Sequence, residues 1–155
     1  MVGKKGRHDE VSIYCSRAVE KIYRAWNRHD LEALMSHFSD DVTVVTLSGK
    51  TIDKEGLRRM VAIEFSGFPD GRFRVDRMVS SGYTIVVEST FTGTHKGDWF
   101  GIPATNKKVE YQEVDIYDFD GGEKVKLFKL YFPYLRFLKQ LNEQAVAELW
   151  DKMRK

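Results

Sequence analysis

The order of strand-like and helix-like segments constrains the fold of this chain more than any other feature of the sequence. Four segments rich in β-branched and aromatic residues follow one another near residues 72–79, 83–95, 109–119 and 124–132, with no helical pattern between them. Neighbouring parallel strands need a long crossover, usually a helix, whereas antiparallel strands need only short turns. The run therefore predicts an antiparallel sheet and argues against a doubly wound α/β fold.

The N-terminal part of the chain has the pattern of an amphipathic helix. Apolar residues recur at helical spacing from Val11 to Trp26, and Asp9 precedes them as a candidate N-cap. Residues 1–8 carry no such pattern, and we predict a disordered lead-in there. The rest of the chain, residues 9–155, has the length of a single domain.

Three further helical segments complete the pattern. Asp30 and Asp53 are candidate caps for two short helices, and a β-branched strand at 42–47 lies between them. A last helix is predicted over 134–153. The order ααβαββββα predicts an α+β fold, in which a curved antiparallel sheet forms a cone and the early helices pack on its concave face. A sheet of this shape leaves a conical pocket.

Composition excludes several classes of function. The 25 Lys and Arg residues balance 23 Asp and Glu residues and are spread along the chain, whereas a nucleic-acid-binding domain clusters its basic residues. A single cysteine, Cys15, excludes a disulfide framework and a cysteine-based zinc site. No apolar run has the ~18 residues of a membrane span, and no signal-peptide pattern is present. We expect a cytoplasmic protein without nucleic-acid or membrane partners.

Several short motifs between about residue 20 and residue 141 resemble the SnoaL-like polyketide cyclase family, within the nuclear-transport-factor-2-like superfamily. The strongest are the segment around His95 and the segment after Gly101, at this spacing and in this strand order. Asn106 stands where the family usually has glycine, and asparagine also tolerates a left-handed backbone. The resembling segments are Ala25-Trp26-Asn27, Phe38-Ser39-Asp40-Asp41-Val42, Phe68-Pro69-Asp70, Thr92-Gly93-Thr94-His95-Lys96-Gly97 and Gly101-Ile102-Pro103-Ala104-Thr105-Asn106-Lys107.

The resemblance implies a dimer of cone-shaped subunits, each with an apolar pocket for a hydrophobic small molecule. Characterised members close rings by intramolecular aldol chemistry on polyketide esters or act on related carbonyl compounds, without a metal or an organic cofactor. We therefore expect neither. In such chemistry a carboxylate whose pKa is raised by apolar surroundings can remove a proton next to a carbonyl group.

The sequence departs from the family at the residue that usually performs this step. Family cyclases carry a tryptophan on the last strand and an aspartate four residues later, and aligning the two places Lys129 and Pro133 at these positions. Proline cannot transfer a proton. In the steroid-isomerase branch of the fold the base lies near the first strand, where this chain has Thr46.

The last hairpin decides which side chains face the pocket. A two-residue type I′ turn at Gly121-Gly122 would pair Val114 with Lys129. On the family's pattern, Lys129 and Tyr131 then point into the cone. The residues expected to line the pocket beside them are Gln112, Val114 and Ile116. The side chains expected to point outward and to form a homodimer contact are Phe128, Leu130 and Phe132.

A different turn length would reverse the facing of the strand at 109–119. Glu113 and Asp115 would then lie inside the cone in place of Val114 and its neighbours. The sequence leaves both arrangements open.

Three residues are candidates for catalysis. His95 has the near-neutral pKa of a general base, or it could hold the glycine-containing loop by bonding to its backbone. Lys129 could activate a carbonyl group, or its charge could reach the rim and pair with Asp98. Tyr131 could donate a hydrogen bond to an enolate oxygen, or it could simply pack. Trp26, Phe38 and Trp99 are expected to shape the pocket or its mouth.

Three functions are compatible with these features. The first is an enzyme that binds a hydrophobic carbonyl compound and transfers a proton, in a cyclisation, isomerisation or dehydration. The second is a binding or carrier protein without catalysis, which would account for the missing aspartate. The third is a protein-interaction domain whose cavity is filled by its own side chains. An open cavity lined by titratable groups would favour the first.

Overall fold

The computed structural model describes residues 4–144, 147, 151 and 154. Within them the chain forms four helices and a sheet of six strands. The elements in chain order are α1 (Lys4–Asn27), α2 (Leu31–Met35), β1 (Phe38–Val45), β2 (Thr51–Ile52), α3 (Lys54–Gly67), β3 (Arg72–Ser81), β4 (Thr84–Thr94), β5 (Lys108–Phe119), β6 (Val125–Tyr131) and α4 (Tyr134–Leu141).

The strands form one curled, open sheet in the order β2-β1-β6-β5-β4-β3. From β3 to β6, each strand pairs antiparallel with the next, as the run of strand-like segments predicted. The expectation of a purely antiparallel sheet was wrong at one place, because β1 pairs parallel with β6. The two strands are neighbours in the sheet but far apart along the chain, so the long connection that a parallel pair needs is available. The α+β class and the helix-covered sheet are confirmed.

Helix α1 is anchored to the edge of the sheet by one side chain. The Asn27 amide donates to the Phe73 carbonyl and accepts from the Phe73 N–H, both at 2.8 Å. Since β3 is an edge strand, these bonds satisfy backbone groups that no neighbouring strand reaches. Trp26, one residue earlier, packs edge-on against Phe73 and Phe91. The end of α1 is thereby fixed over the sheet.

Some helices and strands begin or end at other residues than predicted. Helix α1 begins at Lys4, so residues 4–8 are helical instead of a disordered lead-in, and Asp9 lies inside the helix instead of capping it. Strand β1 begins at Phe38, four residues before the predicted start. Helix α4 ends at Leu141, and most of the predicted extension to residue 153, including Leu149 and Trp150, lies outside the described residues.

The turn between β5 and β6 is longer than predicted. Gly121 has a φ of +91° but Gly122 does not have a positive φ, so the turn is not type I′. The Asp120 N–H donates to the Lys124 carbonyl, and a register irregularity follows Asp118. Five residues, 120–124, therefore connect the strands. Lys129 pairs with Ile116 instead of Val114.

Gly97 allows the loop after β4 to pass directly over the end of α3. A Cβ atom at Gly97 would lie 2.2 Å from the Ser66 carbonyl oxygen, which is part of the backbone and cannot turn aside. We expect Gly97→Ala to lower the free energy of unfolding by on the order of 2–3 kcal/mol, measured by urea denaturation.

The matched control is Gly49→Ala. Gly49 also has a positive φ, +76°, but a Cβ atom there would meet nothing within 4 Å. Its cost should be about 1 kcal/mol, from the left-handed backbone alone. Equal losses for the two variants would show that the close approach at Gly97 does not constrain the loop.

Candidate active site

A cavity of about 600 Å³ lies between the helices and the concave face of the sheet. All four helices, four of the strands and three loops contribute to its walls. Its described lining residues are Ile22, Tyr23, Trp26, Leu34, Phe38, Thr46, Leu47, Ser48, Leu57, Met60, Val61, Glu64, Phe73, Trp99, Phe100, Tyr111, Glu113, Asp115, Tyr117, Phe128, Leu130, Phe132 and Tyr134. Most are aliphatic or aromatic, so the cavity suits a hydrophobic ligand.

The charged side chains in this described lining are all acidic. They are Glu64 on α3 and Glu113 and Asp115 on β5. Side chains two residues apart on a strand point to the same face, so Glu113 and Asp115 enter the cavity side by side. Glu64 approaches from the helical wall. The cavity therefore has apolar walls with three carboxyl groups.

Asp115 is held by two tyrosines. Its side chain is almost completely buried, with 2% of its surface exposed. The Tyr23 hydroxyl donates to Asp115 Oδ2 at 2.6 Å, and the Tyr117 hydroxyl donates to the same oxygen at 3.2 Å. The other oxygen, Oδ1, has no hydrogen-bond partner. One oxygen of the carboxylate is thus anchored while the other is available to a ligand.

The two neighbouring acids differ in pKa. Burial raises the pKa of Asp115 to about 6, and its interactions with Tyr23, with the neighbouring Glu113 and with Tyr117 oppose a larger rise. The pKa of Glu113 lies well above its ordinary value because of burial, the charge and hydrogen bond of Asp115, and the charge of Glu64. Of the two, Glu113 holds its proton to the higher pH, so an ionised Asp115 can stand beside a protonated Glu113. An acid and a base therefore stand side by side.

Glu64 forms a second titratable position in the cavity. Burial raises its pKa to about 7, and the Trp99 indole N–H opposes this rise. Trp99 is 5% exposed and its Nε1 has no partner within hydrogen-bonding distance. The indole N–H therefore lies near the Glu64 carboxyl group without completing a hydrogen bond to it.

His95, a predicted catalytic residue, is not among the residues that line the cavity. Its ring is fully buried, stacks on Phe68, and lies with Nδ1 3.1 Å from the Thr105 hydroxyl and 3.3 Å from the Thr105 N–H. Its backbone pairs with Lys107 and Asn106. These contacts join the two ends of the loop after β4, as in the alternative structural interpretation. Burial lowers the pKa of His95, which keeps the ring neutral.

The same loop contains a confirmed backbone prediction. Asn106 has a φ of +58°, in the left-handed region that asparagine tolerates better than most residues. This chain therefore keeps a left-handed backbone at the position where the family usually has glycine.

The predicted facing of the last two strands was wrong. Tyr131 is 51% exposed, and neither it nor Lys129 lines the cavity. Gln112, Val114 and Ile116, the predicted pocket residues of β5, are also absent from the lining. The longer turn is not the reason, because Val114 and Ile116 lie on the same face of β5 and either can pair with Lys129 without reversing a strand. Both strands face the opposite way from the family's pattern, an arrangement that buries the apolar face of β6 and turns Glu113 and Asp115 inward.

The side chains predicted to form an outer homodimer contact lie inside. Phe128, Leu130 and Phe132 line the cavity, where Phe128 stacks on Tyr117 and Phe132 stacks on Tyr111. These three side chains are therefore not on the outer face, and the predicted contact between subunits through them was wrong. Dimerisation itself stays a prediction.

The positions predicted for the aromatic pocket residues agree with the structure. Trp26, Phe38 and Trp99 all line the cavity. Thr46, the residue at the steroid-isomerase position, lines it as well. These residues belong to the helices, β1 and the loops, whose placement does not depend on the last hairpin.

The sequence contained a signal for the acids that we did not single out. Leu57, Met60, Val61 and Glu64 follow the helical spacing of an inward-facing stripe, so a carboxyl group occupies a position expected to be apolar. On β5, Tyr111, Glu113, Asp115 and Tyr117 alternate in the same way. A titratable group at an inward position is a candidate for function.

The sequence also matches a known family over most of its length. The model of the SnoaL-like polyketide cyclase family matches residues 16–141. The chain belongs to this family. No curated protein matches the chain. The family is thus shown by the match to its sequence model.

Solved structures of other proteins share the fold. AclR from Streptomyces galilaeus, provisionally described as a hydroxylase, is 20% identical, has a TM-score of 0.78, and the match covers 92% of this chain and 96% of that one. A provisional SnoaL-like polyketide cyclase from Jannaschia sp. CCS1 is 17% identical, with a TM-score of 0.79 and coverages of 84% and 93%. IdmH from Streptomyces antibioticus, provisionally a polyketide cyclase, is 23% identical, with a TM-score of 0.71 and coverages of 82% and 97%. At these identities the likeness establishes the fold.

Among the described helices, none is long and apolar enough to cross a membrane.

Proposed function

We propose that this SnoaL-like protein is a cofactor-independent enzyme that binds a hydrophobic carbonyl compound and transfers a proton at the carbon next to its carbonyl group. Cyclisation and isomerisation both begin with this step. The observation that carries the proposal is the Asp115 carboxylate, buried in the cavity with Oδ2 held by two tyrosines and Oδ1 without a partner. The family match and the apolar cavity support the substrate class.

In this proposal, Asp115 is the general base. Its pKa of about 6 leaves it ionised near neutral pH, yet high enough to accept a proton from a carbon acid. The bonds from Tyr23 and Tyr117 fix the carboxylate, so that Oδ1 meets the substrate without reorganisation.

The enolate oxygen that forms needs a hydrogen-bond donor. Protonated Glu113 stands two residues from Asp115 on the same face of β5, and the Tyr111 hydroxyl lines the same wall. Either group can donate to the oxygen in surroundings that exclude water, where such bonds are strongest. Asp115 then returns the proton to a different atom of the substrate, or the enolate carbon attacks a second carbonyl group within the same molecule.

Exchange of carbon-bound hydrogen with deuterium tests the proposal directly. In deuterated buffer at pD near 7.5, the protein should accelerate loss of the methyl proton signal of 2-acetylnaphthalene, followed by NMR. Tyr23→Phe should slow this exchange about 10-fold, because the carboxylate loses its shorter hydrogen bond and its fixed orientation.

Tyr14→Phe is the matched control, because Tyr14 lies on α1 but is exposed and outside the cavity lining. Its exchange rate should equal that of the unmodified protein. Tight binding of aromatic ketones with no accelerated exchange would contradict the enzyme proposal and favour a carrier of hydrophobic ligands.

A further inference from the structure

The indole N–H of Trp99 is a buried hydrogen-bond donor without an acceptor. Trp99 lines the cavity and is 5% exposed, and its Nε1 atom has no partner within hydrogen-bonding distance. Polar groups buried in folded proteins are nearly always paired, because an unpaired one has lost its hydrogen bond to water without replacement. A ligand with an acceptor atom at this place would supply the missing partner. The proposed proton transfer at Asp115 leaves this donor unused.

Contacts on both sides of Trp99 fix the indole in the cavity wall. Trp99 and Ile102 exchange two backbone hydrogen bonds of 3.0 and 2.9 Å. Phe100 and Gly101, which lie between them, have φ values of +47° and +85°, as in a type I′ turn. The indole ring packs edge-on against Phe137 with a centroid distance of 4.8 Å. The direction of the N–H is therefore set by the fold before a ligand binds.

The Glu64 carboxyl group lies beside this donor. Glu64 lines the cavity and is half-buried, and the indole N–H lies near its carboxyl group without completing a hydrogen bond. Because burial raises the pKa of Glu64 to about 7, the carboxylate and the carboxylic acid are both present near neutral pH. Either form has lone pairs that can accept a hydrogen bond. The protein therefore offers a donor and an acceptor at one place in the wall.

A hydroxyl group is the ligand substituent that complements both groups. Its oxygen can accept from the Trp99 N–H while its hydrogen is donated to Glu64. A protonated amine has no lone pair for the indole N–H. A carboxylate has no hydrogen for Glu64, and the other acids of the cavity would repel it. An ether oxygen can accept from Trp99, but it leaves the Glu64 carboxylate without a donor.

We propose that the ligand carries a hydroxyl group in addition to its carbonyl group, and that this hydroxyl accepts a hydrogen bond from Trp99 Nε1 and donates one to the Glu64 carboxyl group. This inference rests on the proposed function for the position of the carbonyl group near Asp115. It adds a recognition element that the proton transfer itself does not require. The substrate class is then a hydrophobic hydroxy ketone.

Three 2-acetylnaphthalenes that differ only at carbon 6 test this inference. The substituents are hydroxymethyl, methoxymethyl and ethyl, and dissociation constants are measured by isothermal titration calorimetry at pH 7.5. An apolar wall alone would bind the ethyl compound most tightly. With both hydrogen bonds in place, the alcohol should bind about 3- to 10-fold more tightly than the ethyl compound and the ether, the usual net effect of one hydrogen bond.

Trp99→Phe keeps an aromatic ring but removes the N–H, and it should lower the preference for the alcohol over the ethyl compound about 3- to 10-fold. Trp26→Phe is the matched control, because it removes an indole from the same cavity whose Nε1 is not a buried, unpartnered donor. It can change the affinity for all three compounds, but it should retain their ratios.

Glu64→Leu tests the acceptor separately. Leucine has a similar volume without a polar atom, so this variant should lose the preference for the alcohol over the ether. Tightest binding of the ethyl compound by the unmodified protein would overturn the inference. A preference for the alcohol that survives Trp99→Phe or Glu64→Leu would overturn it as well, because the hydroxyl would then bind elsewhere.

The same samples separate this inference from the proposed function. Exchange of the acetyl protons of these compounds without any preference for the alcohol would overturn the inference alone. A preference for the alcohol without exchange would overturn the proton-transfer function and leave the hydroxyl site intact. Absence of binding by all three compounds at millimolar concentration would overturn both.

Discussion

Replacing Asp115 with asparagine is expected to slow deuterium exchange of a bound aromatic ketone by about 10²- to 10⁴-fold, the usual contribution of a positioned general base. Asparagine has nearly the same shape, and its side-chain oxygen can still accept from Tyr23 and Tyr117. The variant should therefore fold and bind the ketone while lacking the basic oxygen. Binding by calorimetry and exchange by NMR distinguish these two effects.

Asp118→Asn is the control for this variant. Asp118 lies on the same strand, accepts from the Thr84 hydroxyl at 2.5 Å, and is outside the cavity lining. Its exchange rate should remain within a factor of two or so of the unmodified protein, as expected away from the reacting atoms. If Asp115→Asn exchanged as fast as the control, another group in the cavity would have to be the base.

The exchange rate should also follow pH in a way that identifies the pair. It should rise with pH through about 6, where Asp115 ionises, and fall at a higher pH, where Glu113 loses the proton that it donates. Glu113→Gln should keep the rise but lose the fall, because the amide donates a hydrogen bond at any pH. A profile that is flat from pH 5 to pH 8 would contradict this assignment.

The other large effect concerns stability. The pKa of Glu64 is raised from 4.5 to about 7 in the folded chain, so between these values the folded state binds a proton that the unfolded state has released. The free energy of unfolding must then fall as pH rises through this window. Since one pKa unit corresponds to about 1.4 kcal/mol, the rise from 4.5 to about 7 corresponds to about 3.5 kcal/mol in full, of which about 3 kcal/mol is lost between pH 4.5 and pH 8.

Glu64→Gln removes this contribution. The free energy of unfolding is measured by urea denaturation for both proteins at pH 4.5 and at pH 8. The difference, variant minus unmodified protein, should be about 3 kcal/mol larger at pH 8 than at pH 4.5. Taking the difference between the two proteins cancels the other titrating groups. One of these groups is His95. Because its pKa is lowered in the folded chain, its contribution makes the free energy of unfolding fall as pH falls, opposite to the contribution of Glu64.

Glu55→Gln should show no such dependence, because its side chain is exposed on the same helix. A difference between Glu64→Gln and the unmodified protein that does not change from pH 4.5 to pH 8 would show that Glu64 is not desolvated in the cavity.

Local patterns in the sequence were sufficient to predict most of the elements. Helix and strand periodicities depend on which side chains face the core, and they located α1, α3 and the strands β3 to β6 within a few residues, apart from the first turn and a half of α1. Turn chemistry predicted the left-handed Asn106 correctly. The family resemblance supplied the cone and its pocket, which the fold and the matched residues 16–141 confirm.

These patterns could not predict which faces of β5 and β6 point into the cavity. Strands β5 and β6 carry large side chains on both faces, so alternation alone does not say which face is inward. The facing taken from the family's pattern placed Lys129 and Tyr131 inside and Phe128 outside. Both strands have the opposite facing in the structure, which buries Phe128 and leaves Tyr131 exposed.

What the sequence determined by itself was therefore the order and type of the elements, because periodicity and turn preferences act over a few neighbouring residues. Only the tertiary structure decided that β1 pairs parallel with β6, that His95 closes a loop, and that the inward face of β5 carries Glu113 and Asp115. The physical reason is that pairing register and burial depend on contacts between residues far apart in the chain. Asp115 meets Tyr23 across 92 residues, and the anchored carboxylate exists only once the sheet has closed over α1.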